Sequence, residues 1–305
     1  MSQGFTEPPI GYTNEAADRA AADHARKGSE SMPAQVITVT SGKGGVGKTT
    51  ATANLGVALA ARGRNVVVVD ADIGLRNLDV VMGLENRVVY NLIHVIRGVT
   101  QAEKALIRDK RVPGLMLLAA DQHADKDDVS PDEMDALCAS LRPFADYIIV
   151  DSPAGIEQGF RNALAPADQV VLVTTPEVSA VRDADRVIGL VEATGKPSPR
   201  LILNRIKPEL VAQGDMMTTD DVVDVLRIEL LGIVPEDGAI VAATNRGEPV
   251  ALQAGSRAGQ AFHNIAARIE GERVPFMTLD ASQQSFLDRL SSLFRSGHGP
   301  AGGAR

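Results

Sequence analysis

The sequence predicts an α/β fold: a single doubly wound, mostly parallel sheet with helices on both faces, followed by an amphipathic helix near the C-terminus. From residue 35 onward, short apolar runs alternate with longer amphipathic stretches. The short runs are continuously apolar, which is typical of strands that are buried on both faces. Their alternation with helices indicates βαβ units and a parallel sheet that is covered on both sides.

The composition is that of a protein with a sizeable core. The chain has 305 residues, 44% of them apolar, and a formal net charge of -8. The apolar content argues against wholesale disorder, and the acidic balance weakens the case for binding to nucleic-acid phosphates. The one cysteine, Cys138, excludes an intramolecular disulfide and a CxxC metal site, and we expect it to be buried on a helix. No apolar run approaches the roughly 18 residues that span a bilayer, so we expect a cytoplasmic protein.

The regular elements follow one another between residues 34 and 271. Strands are predicted at residues 36–40, 66–70, 115–119, 147–151, 170–174, 201–204 and 232–234. Helices are predicted at residues 48–62, 132–141, 178–192, 219–229 and 256–270. No second copy of the pattern and no low-complexity linker interrupts this region, so we predict that residues 34–271 form a single domain.

The two ends of the chain differ from this domain. Residues 1–33 contain hardly any residue that could enter a core, so we expect a disordered extension, of which residues 1–31 are dispensable for folding. Met32, near its end, is a candidate alternative start of translation. We predict a linker at residues 272–281, an amphipathic helix at residues 282–296, and a glycine-rich disordered tail at residues 297–305.

A glycine-rich loop follows the first predicted strand and opens the first long helix. Residues 41–50 read SGKGGVGKTT and satisfy the pattern G-x-x-x-x-G-K-[ST], whose glycines let backbone N–H groups turn toward phosphate oxygens. In this pattern Lys48 bridges the terminal phosphates and the Thr49 hydroxyl can ligate Mg²⁺. The predicted nucleotide-binding residues of the loop are Gly42, Lys43, Gly44, Gly45, Val46, Gly47, Lys48, Thr49 and Thr50.

Carboxylates end two of the predicted strands. Asp70 and Asp72 stand two residues apart at the end of strand 66–70, so both can face the phosphate loop across the carboxyl edge of the sheet. A carboxylate there can orient an attacking water or hold the hydration shell of Mg²⁺, although acids that cap the following turn would give the same pattern. Asp151 ends strand 147–151, and we predict that it holds Mg²⁺ through water.

The phosphate loop carries a second lysine, Lys43, which is either a further cation for phosphates or a solvated side chain. The string from Lys43 to Thr49, KGGVGKT, resembles the deviant Walker A motif of the ParA/MinD family. Members of that family dimerise around two ATP molecules, so the resemblance implies that Lys43 reaches the nucleotide of the partner subunit. It also implies that Asp72 positions the hydrolytic water, that Lys43, Lys48 and Asp72 carry catalysis, and that Asp70 acts near Mg²⁺.

The family resemblance also assigns the base contacts. It implies that Asn204, Pro235 and Asp237 surround adenine, whereas their spacing alone does not choose adenine over guanine. No N-K-x-D sequence follows a strand, which removes the usual guanine reader of GTPases. The implied cofactors are therefore ATP and Mg²⁺, and the implied activity is an ATPase that is slow until a partner stimulates it.

Further stretches resemble the division-site branch of the same family. They are residues 70–79, 87–91, 151–157, 175–186 and 235–237, and the resemblance extends over about residues 35–295. It implies a homodimer that recruits the division inhibitor MinC and is reset by hydrolysis, which a regulator such as MinE stimulates. Asp183 and Asp185 of the predicted helix 178–192 are the candidate partner-binding residues, although charges on an exposed helix are often only solvated.

The segment 282–296 has one apolar face. Phe286, Leu287, Leu290, Leu293 and Phe294 stand at i, i+1, i+4, i+7 and i+8, opposite polar residues. Five large apolar groups suffice for reversible binding at an interface, so we predict a peripheral anchor on the inner face of the cell membrane. A helix that docks on the domain's own core is the alternative. Because this face has few basic neighbours, we expect a weaker dependence on anionic lipid than a lysine-rich anchor shows.

Other proteins share this nucleotide-binding pattern. A ParA-type DNA-partition ATPase should have a basic surface and no lipid-facing helix, which the net charge of -8 and the C-terminal segment disfavour. A related ATPase that controls flagellar number or placement usually carries a D-Q-A-x-x-L-R motif, which is not evident in residues 1–33. A carrier of iron–sulfur clusters is nearly excluded by the single cysteine, and no substrate pocket of a metabolic ligase is identifiable.

Overall fold

Residues 33–278 are described by a computed structural model, in which an eight-stranded sheet carries helices on both faces. The strands are β1 (Gln35–Thr40), β2 (Val66–Asp70), β3 (Ile107–Arg108), β4 (Leu115–Leu118), β5 (Tyr147–Asp151), β6 (Gln169–Thr174), β7 (Arg200–Ile206) and β8 (Leu230–Pro235). Their order across the sheet is β3-β4-β2-β5-β1-β6-β7-β8. The pair β3–β4 is antiparallel and every other neighbouring pair is parallel, so the predicted mostly parallel sheet is confirmed.

Within residues 33–278, eleven α-helices lie between these strands or after the last one. They are α1 (Lys48–Ala61), α2 (Leu78–Val81), α3 (Leu92–Ile96), α4 (Ala102–Ala105), α5 (Pro131–Leu141), α6 (Gln158–Leu164), α7 (Val178–Ala193), α8 (Pro208–Gln213), α9 (Thr219–Leu226), α10 (Gly238–Asn245) and α11 (Arg257–Ile269). Residues 272–278 follow α11 without helix or strand. The predictions for the N-terminal extension and for the segments 282–296 and 297–305 fall on residues 1–32 and 279–305, which lie outside the described residues.

The predicted strands and long helices are confirmed, and the shortest elements are those that the sequence did not predict. Each predicted strand agrees with an observed one within two residues at either end. Helix α9 ends earlier than expected, because Arg227 adopts a left-handed conformation with φ of 54° directly after it. Strand β3 has two residues and five of the six unpredicted helices have at most seven, which leaves little length for a hydrophobic period to show.

Helix α1 lies between the sheet and α11, so it is buried on nearly every side. Leu55 and Leu59 are fully buried within it. Gly56 allows the helix to approach β2 so closely that a Cβ atom at this position would lie 2.6 Å from Cγ1 of Val68. This packing fixes the N-terminus of α1 at the carboxyl end of β1, which is where the phosphate loop lies.

The opposite face of the sheet is covered in two parts. Helices α3, α4 and α5 pack on β2, β4 and β5, while α6, α7 and α9 pack on β6 and β7. Cys138 of α5 lies in the first of these cores, and burial raises the pKa of its thiol to about 12, so the predicted small buried residue is confirmed. Between residues 33 and 278 no helix combines the length and the apolar character that crossing a bilayer requires.

We expect Arg227→Gly to stabilise the domain by about 0.5–1 kcal/mol, because glycine adopts the left-handed conformation at a helix end without strain at Cβ. The measurement is the free energy of unfolding in urea. Arg186→Gly is the matched control, since this exposed arginine lies inside α7 and its replacement should destabilise by about 0.5–1 kcal/mol. A loss of stability in Arg227→Gly would contradict strain at this helix end.

Candidate functional site

A cavity of about 550 Å³ opens at the carboxyl edge of the sheet, beside the phosphate loop. The structure brings most of the predicted site residues to its wall. They are Lys43, Gly44, Gly45, Gly47, Lys48, Thr49, Thr50, Asp72, Asn204 and Asp237. Five of the residues predicted to bind the nucleotide or the metal do not line it: Gly42, Val46, Asp70, Asp151 and Pro235. Of these, Asp70 and Asp151 lie directly beneath the loops that form the wall, as cross-strand neighbours at the ends of β2 and β5.

The phosphate loop has the backbone that glycine permits. Gly45 and Gly47 have φ angles of 81° and 95°, in the left-handed region where a side chain would be strained. The carbonyl of Gly47 accepts a hydrogen bond of 2.8 Å from the N–H of Ala51, so the loop continues directly into the first turn of α1. Backbone N–H groups and a helix N-terminus therefore meet at the cavity, which is an arrangement suited to phosphate.

The centre of the site is a buried ion pair between the loop and β5. Nζ of Lys48 lies 2.8 Å from Oδ1 of Asp151, and the two side chains are only 7% and 1% exposed. The hydroxyl of Thr52 donates a second hydrogen bond of 3.1 Å to the same oxygen. The ammonium group is also 3.5 Å from the hydroxyl oxygen of Thr49, so it contacts both a carboxylate and a hydroxyl.

These residues fit a magnesium ion bound with phosphates. Oδ2 of Asp151 is buried and accepts no hydrogen bond from any of residues 33–278. A buried acceptor without a donor is costly, and a water molecule carried by Mg²⁺ would supply the donor. The hydroxyl of Thr49 lines the cavity nearby and can serve as a direct ligand. Mg²⁺ prefers oxygen ligands and keeps several waters, which matches this sparse set of protein oxygens.

Asp70 organises the loop after β2. Its Oδ1 accepts a hydrogen bond of 3.0 Å from the N–H of Asp72, and its Oδ2 accepts bonds of 3.0 Å from the N–H groups of Asn77 and Leu78. Burial, and after it the charge of Asp151, raise the pKa of Asp70 to about 7 against these backbone donors. Both oxygens of Asp70 are thus directed at the segment that carries Asp72 into the cavity wall.

At the other end of the cavity, Asn204 and Asp237 are held by the protein itself. Nδ2 of Asn204 donates a hydrogen bond of 2.8 Å to the carbonyl of Val46. Asp237 caps α10 through the N–H of Ala239 at 2.8 Å and accepts a bond of 3.0 Å from the hydroxyl of Ser256. The carboxylate of Asp237 therefore joins α10 to the start of α11, and what remains available at this end is Oδ1 of Asn204, buried and without a donor among residues 33–278.

Several residues of the cavity wall had no signal in the sequence. Arg205 follows the predicted base contact Asn204, Glu236 lies between the predicted contacts Pro235 and Asp237, and the others are mostly apolar residues of α2, α10 and the loop before α2. These are Leu75, Val80, Val81, Ile240, Val241 and Thr244. Leu75, Val80 and Val241 are at least half exposed although they are large and apolar. The only sequence signal for this part of the wall is the presence of apolar residues in the short helix α10, which follows the last strand.

Helix α7 touches the phosphate loop at two points. Nζ of Lys43, which is exposed, donates a hydrogen bond of 3.3 Å to the hydroxyl of Ser179. Gly42 packs on the backbone of the same helix, where a Cβ atom would lie 2.4 Å from the carbonyl of Asp183. The side chain of Asp183 is half-buried and that of Asp185 is exposed. The two candidate partner-binding residues are therefore placed on a helix that contacts the loop directly.

A phosphate loop at the end of a central parallel strand, backed by a carboxylate on the neighbouring strand, defines a P-loop nucleotide-binding domain. Comparison with known proteins agrees. The sequence profile of the CobQ/CobB/MinD/ParA nucleotide binding domain matches residues 37–250. The septum site-determining protein MinD of Synechocystis is 51% identical over 257 residues, which cover 84% of this chain and 97% of that protein.

Solved structures give the same relationship. The MinC:MinD cell division protein complex of Aquifex aeolicus contains a chain that matches with a TM-score of 0.75 and 48% identity, over 81% of this chain and 100% of that chain. The septum site-determining protein MinD of Pyrococcus horikoshii, complexed with Mg-ADP, matches with a TM-score of 0.70 and 31% identity, over 78% of this chain and 96% of that chain. The protein belongs to the CobQ/CobB/MinD/ParA family of nucleotide-binding ATPases and, within it, to the MinD septum site-determining proteins.

We expect Gly42→Ala to destabilise the domain by about 1–3 kcal/mol, because the added methyl group would overlap the backbone of α7 and force the loop or the helix to move. Gly44→Ala is the matched control in the same loop, since a Cβ atom there would meet nothing within 4 Å. Thermal unfolding of the two variants measures the difference. Equal unfolding temperatures for both variants would contradict the contact between the loop and α7.

Proposed function

We propose that the protein is an ATP-dependent, dimerising switch that cycles on the membrane and positions the division septum. The observation that carries this proposal is the placement of Lys43. This lysine is exposed at the rim of the nucleotide cavity, whereas Lys48, five residues later, is buried in the ion pair with Asp151. Lys48 is therefore held inside the site of its own subunit, whereas Lys43 can reach the phosphates bound by a second subunit.

The nucleotide is ATP with Mg²⁺. Asn204 belongs to the cavity wall, its Nδ2 donates to the carbonyl of Val46, and its Oδ1 is an acceptor without a donor among residues 33–278. An acceptor there suits the exocyclic amino group of adenine and opposes the carbonyl oxygen that guanine carries at the equivalent position. Asp237 and the apolar residues of α10 then bound the base from the cavity wall, with Pro235 two residues before Asp237, while the carboxylate of Asp237 keeps α10 in place.

Hydrolysis needs a positioned water and charge on the transferred phosphoryl group. Asp72 lines the cavity, and its backbone N–H donates a hydrogen bond to Asp70, which holds the loop in place. The carboxylate of Asp72 orients the water. Lys48 and the partner subunit's Lys43 offset the charge that develops on the phosphoryl oxygens. Bound Mg²⁺ supplies further positive charge on the same oxygens. Because this set lacks a strong general base, turnover is slow until a regulator such as MinE improves the geometry.

Recruitment of the division inhibitor MinC takes place on the exposed side of α7, with Asp185 exposed and Asp183 at its edge. A solved complex of related proteins joins MinC and MinD, which supports MinC as a partner class for this chain. Since α7 contacts the loop through Gly42 and Lys43, a change in the bound nucleotide reaches the helix directly. Partner binding and nucleotide state are coupled through that contact.

Membrane residence depends on the segment 282–296. Its apolar face, from Phe286 to Phe294, is large enough for reversible interfacial binding and too small for stable insertion. Two such anchors on an ATP-bound dimer act at high effective concentration, so dimerisation converts weak binding into residence. Hydrolysis returns the subunits to the cytoplasm as monomers, which completes the cycle.

We expect Asp72→Ala to retain ATP-dependent dimers and to lose at least tenfold in turnover, because the site still binds phosphates and no longer orients the water. Light scattering coupled to gel filtration measures the dimer, and phosphate release measures turnover. Asp224→Ala, an exposed aspartate of α9, is the control and should behave as the unmodified protein in both assays. A variant that stays monomeric with ATP bound would contradict the role given to Asp72.

We expect the full chain to sediment with liposomes of mixed zwitterionic and anionic lipid in ATP, and to remain in solution in ADP or without nucleotide. Phe294→Glu places a charge on the apolar face and should abolish sedimentation, whereas Ser292→Glu, on the polar face of the same segment, should reduce it far less. Equal sedimentation with ATP, with ADP and without nucleotide would contradict the switch, and so would a protein that never sediments.

A further inference from the structure

Strand β7 is irregular at Arg205. This residue has φ of 62°, a left-handed conformation that a non-glycine residue rarely adopts inside a strand. The register between β7 and β8 shifts between Leu203 and Ile206, so the ladder is interrupted at the same place. A strained residue that persists in a sheet points to a functional constraint on its side chain.

The irregularity directs two consecutive side chains at the phosphate loop. Nδ2 of Asn204 donates to the carbonyl of Val46 at 2.8 Å, and Nη1 of Arg205 donates to the carbonyl of Gly45 at 3.2 Å. In a regular strand, neighbouring side chains point to opposite faces of the sheet. Because the backbone of Arg205 is in the left-handed conformation, the side chains of Asn204 and Arg205 can instead reach consecutive carbonyls of the same loop.

The carbonyls of Gly45 and Val46, which these two side chains contact, belong to the side of the phosphate loop that faces away from the phosphates. A loop that turns its N–H groups toward phosphates must turn carbonyl groups away from them, and those carbonyls need donors of their own. The guanidinium of Arg205 is kept in place by Glu236, whose Oε2 lies 3.3 Å from its Nε. Arg205 and Glu236 both belong to the wall of the nucleotide cavity.

We infer that Arg205 is a positioning residue for phosphate binding: together with Asn204 it holds the Gly45 and Val46 carbonyls outward and so preorganises the N–H groups of the loop. The inference deepens the nucleotide site proposed above and rests on it. Arg205 then acts on every ligand that carries the phosphates, whatever base is attached. A residue that read the base would act on nucleosides only.

The test is competition against a fluorescent ADP analogue in the presence of Mg²⁺, with ADP, GDP and inorganic triphosphate as competitors. We expect Arg205→Ala to weaken ADP and triphosphate by the same factor, about five- to tenfold for a partly exposed, charge-assisted hydrogen bond, and to leave the ratio of ADP to GDP affinity unchanged. Glu236→Gln should weaken the binding of ADP and of triphosphate by a smaller factor, again equal for the two competitors. Arg97→Ala removes an exposed arginine that pairs with Asp128 at 3.5 Å, and it should change nothing.

Two results would overturn the inference. One is weaker ADP binding with unchanged triphosphate binding or a changed ADP to GDP ratio, which would make Arg205 a contact of the nucleoside. The other is no change with any competitor. Where Arg205→Ala fails to fold by circular dichroism, Arg205→Lys answers the same question, since lysine keeps the charge and cannot contact Gly45 and Glu236 together. If the unmodified protein itself does not bind ADP, the nucleotide site fails before Arg205 is tested.

Discussion

The ion pair between Lys48 and Asp151 is the contact on which the rest of the site depends. It joins the first residue of α1 to the last residue of β5 at 2.8 Å, in a place where both side chains are almost completely buried. Removing two charges from water is costly, and a buried pair is seldom the most stable solution for a core. In the proposed function, the phosphates and the metal of the ligand use this cation and this carboxylate, which accounts for a buried pair beside a phosphate loop. The β2–β5 register extends the arrangement, since it sets Asp70 opposite Asp151.

From that pair, two chains of contacts lead outward. One runs through Asp70 to the N–H groups of Asp72, Asn77 and Leu78, and it fixes the loop that places a carboxylate in the cavity. The other runs through Gly42 and Lys43 to α7, where the loop lies against the helix backbone. In the proposed function, the first serves hydrolysis and the second serves communication with partners.

The sheet and the phosphate loop were predictable because their signals are local. Continuous apolar runs identify strands buried on both faces, and the loop's glycines and lysines stand at fixed spacing. The contacts of Asp70, Asp237 and Arg205 were not predictable, because each depends on the conformation of a loop or on a residue distant in the sequence. Asp70 has its oxygens on backbone N–H groups, Asp237 bridges α10 and α11, and Arg205 reaches Gly45 only through a left-handed residue in a strand. No periodicity in the sequence encodes such contacts.

The ion pair of Lys48 and Asp151 is proposed to lie in a binding site for Mg²⁺ and an adenine nucleotide. Isothermal titration of Mg-ADP into the unmodified protein and into Lys48→Ala tests it most directly, with Lys104→Ala, an exposed lysine of α4, as the matched control. We predict saturable binding to the unmodified protein and to Lys104→Ala, and at least a hundredfold weaker binding to a folded Lys48→Ala. A folded Lys48→Ala that binds Mg-ADP as tightly as the unmodified protein would contradict the claim.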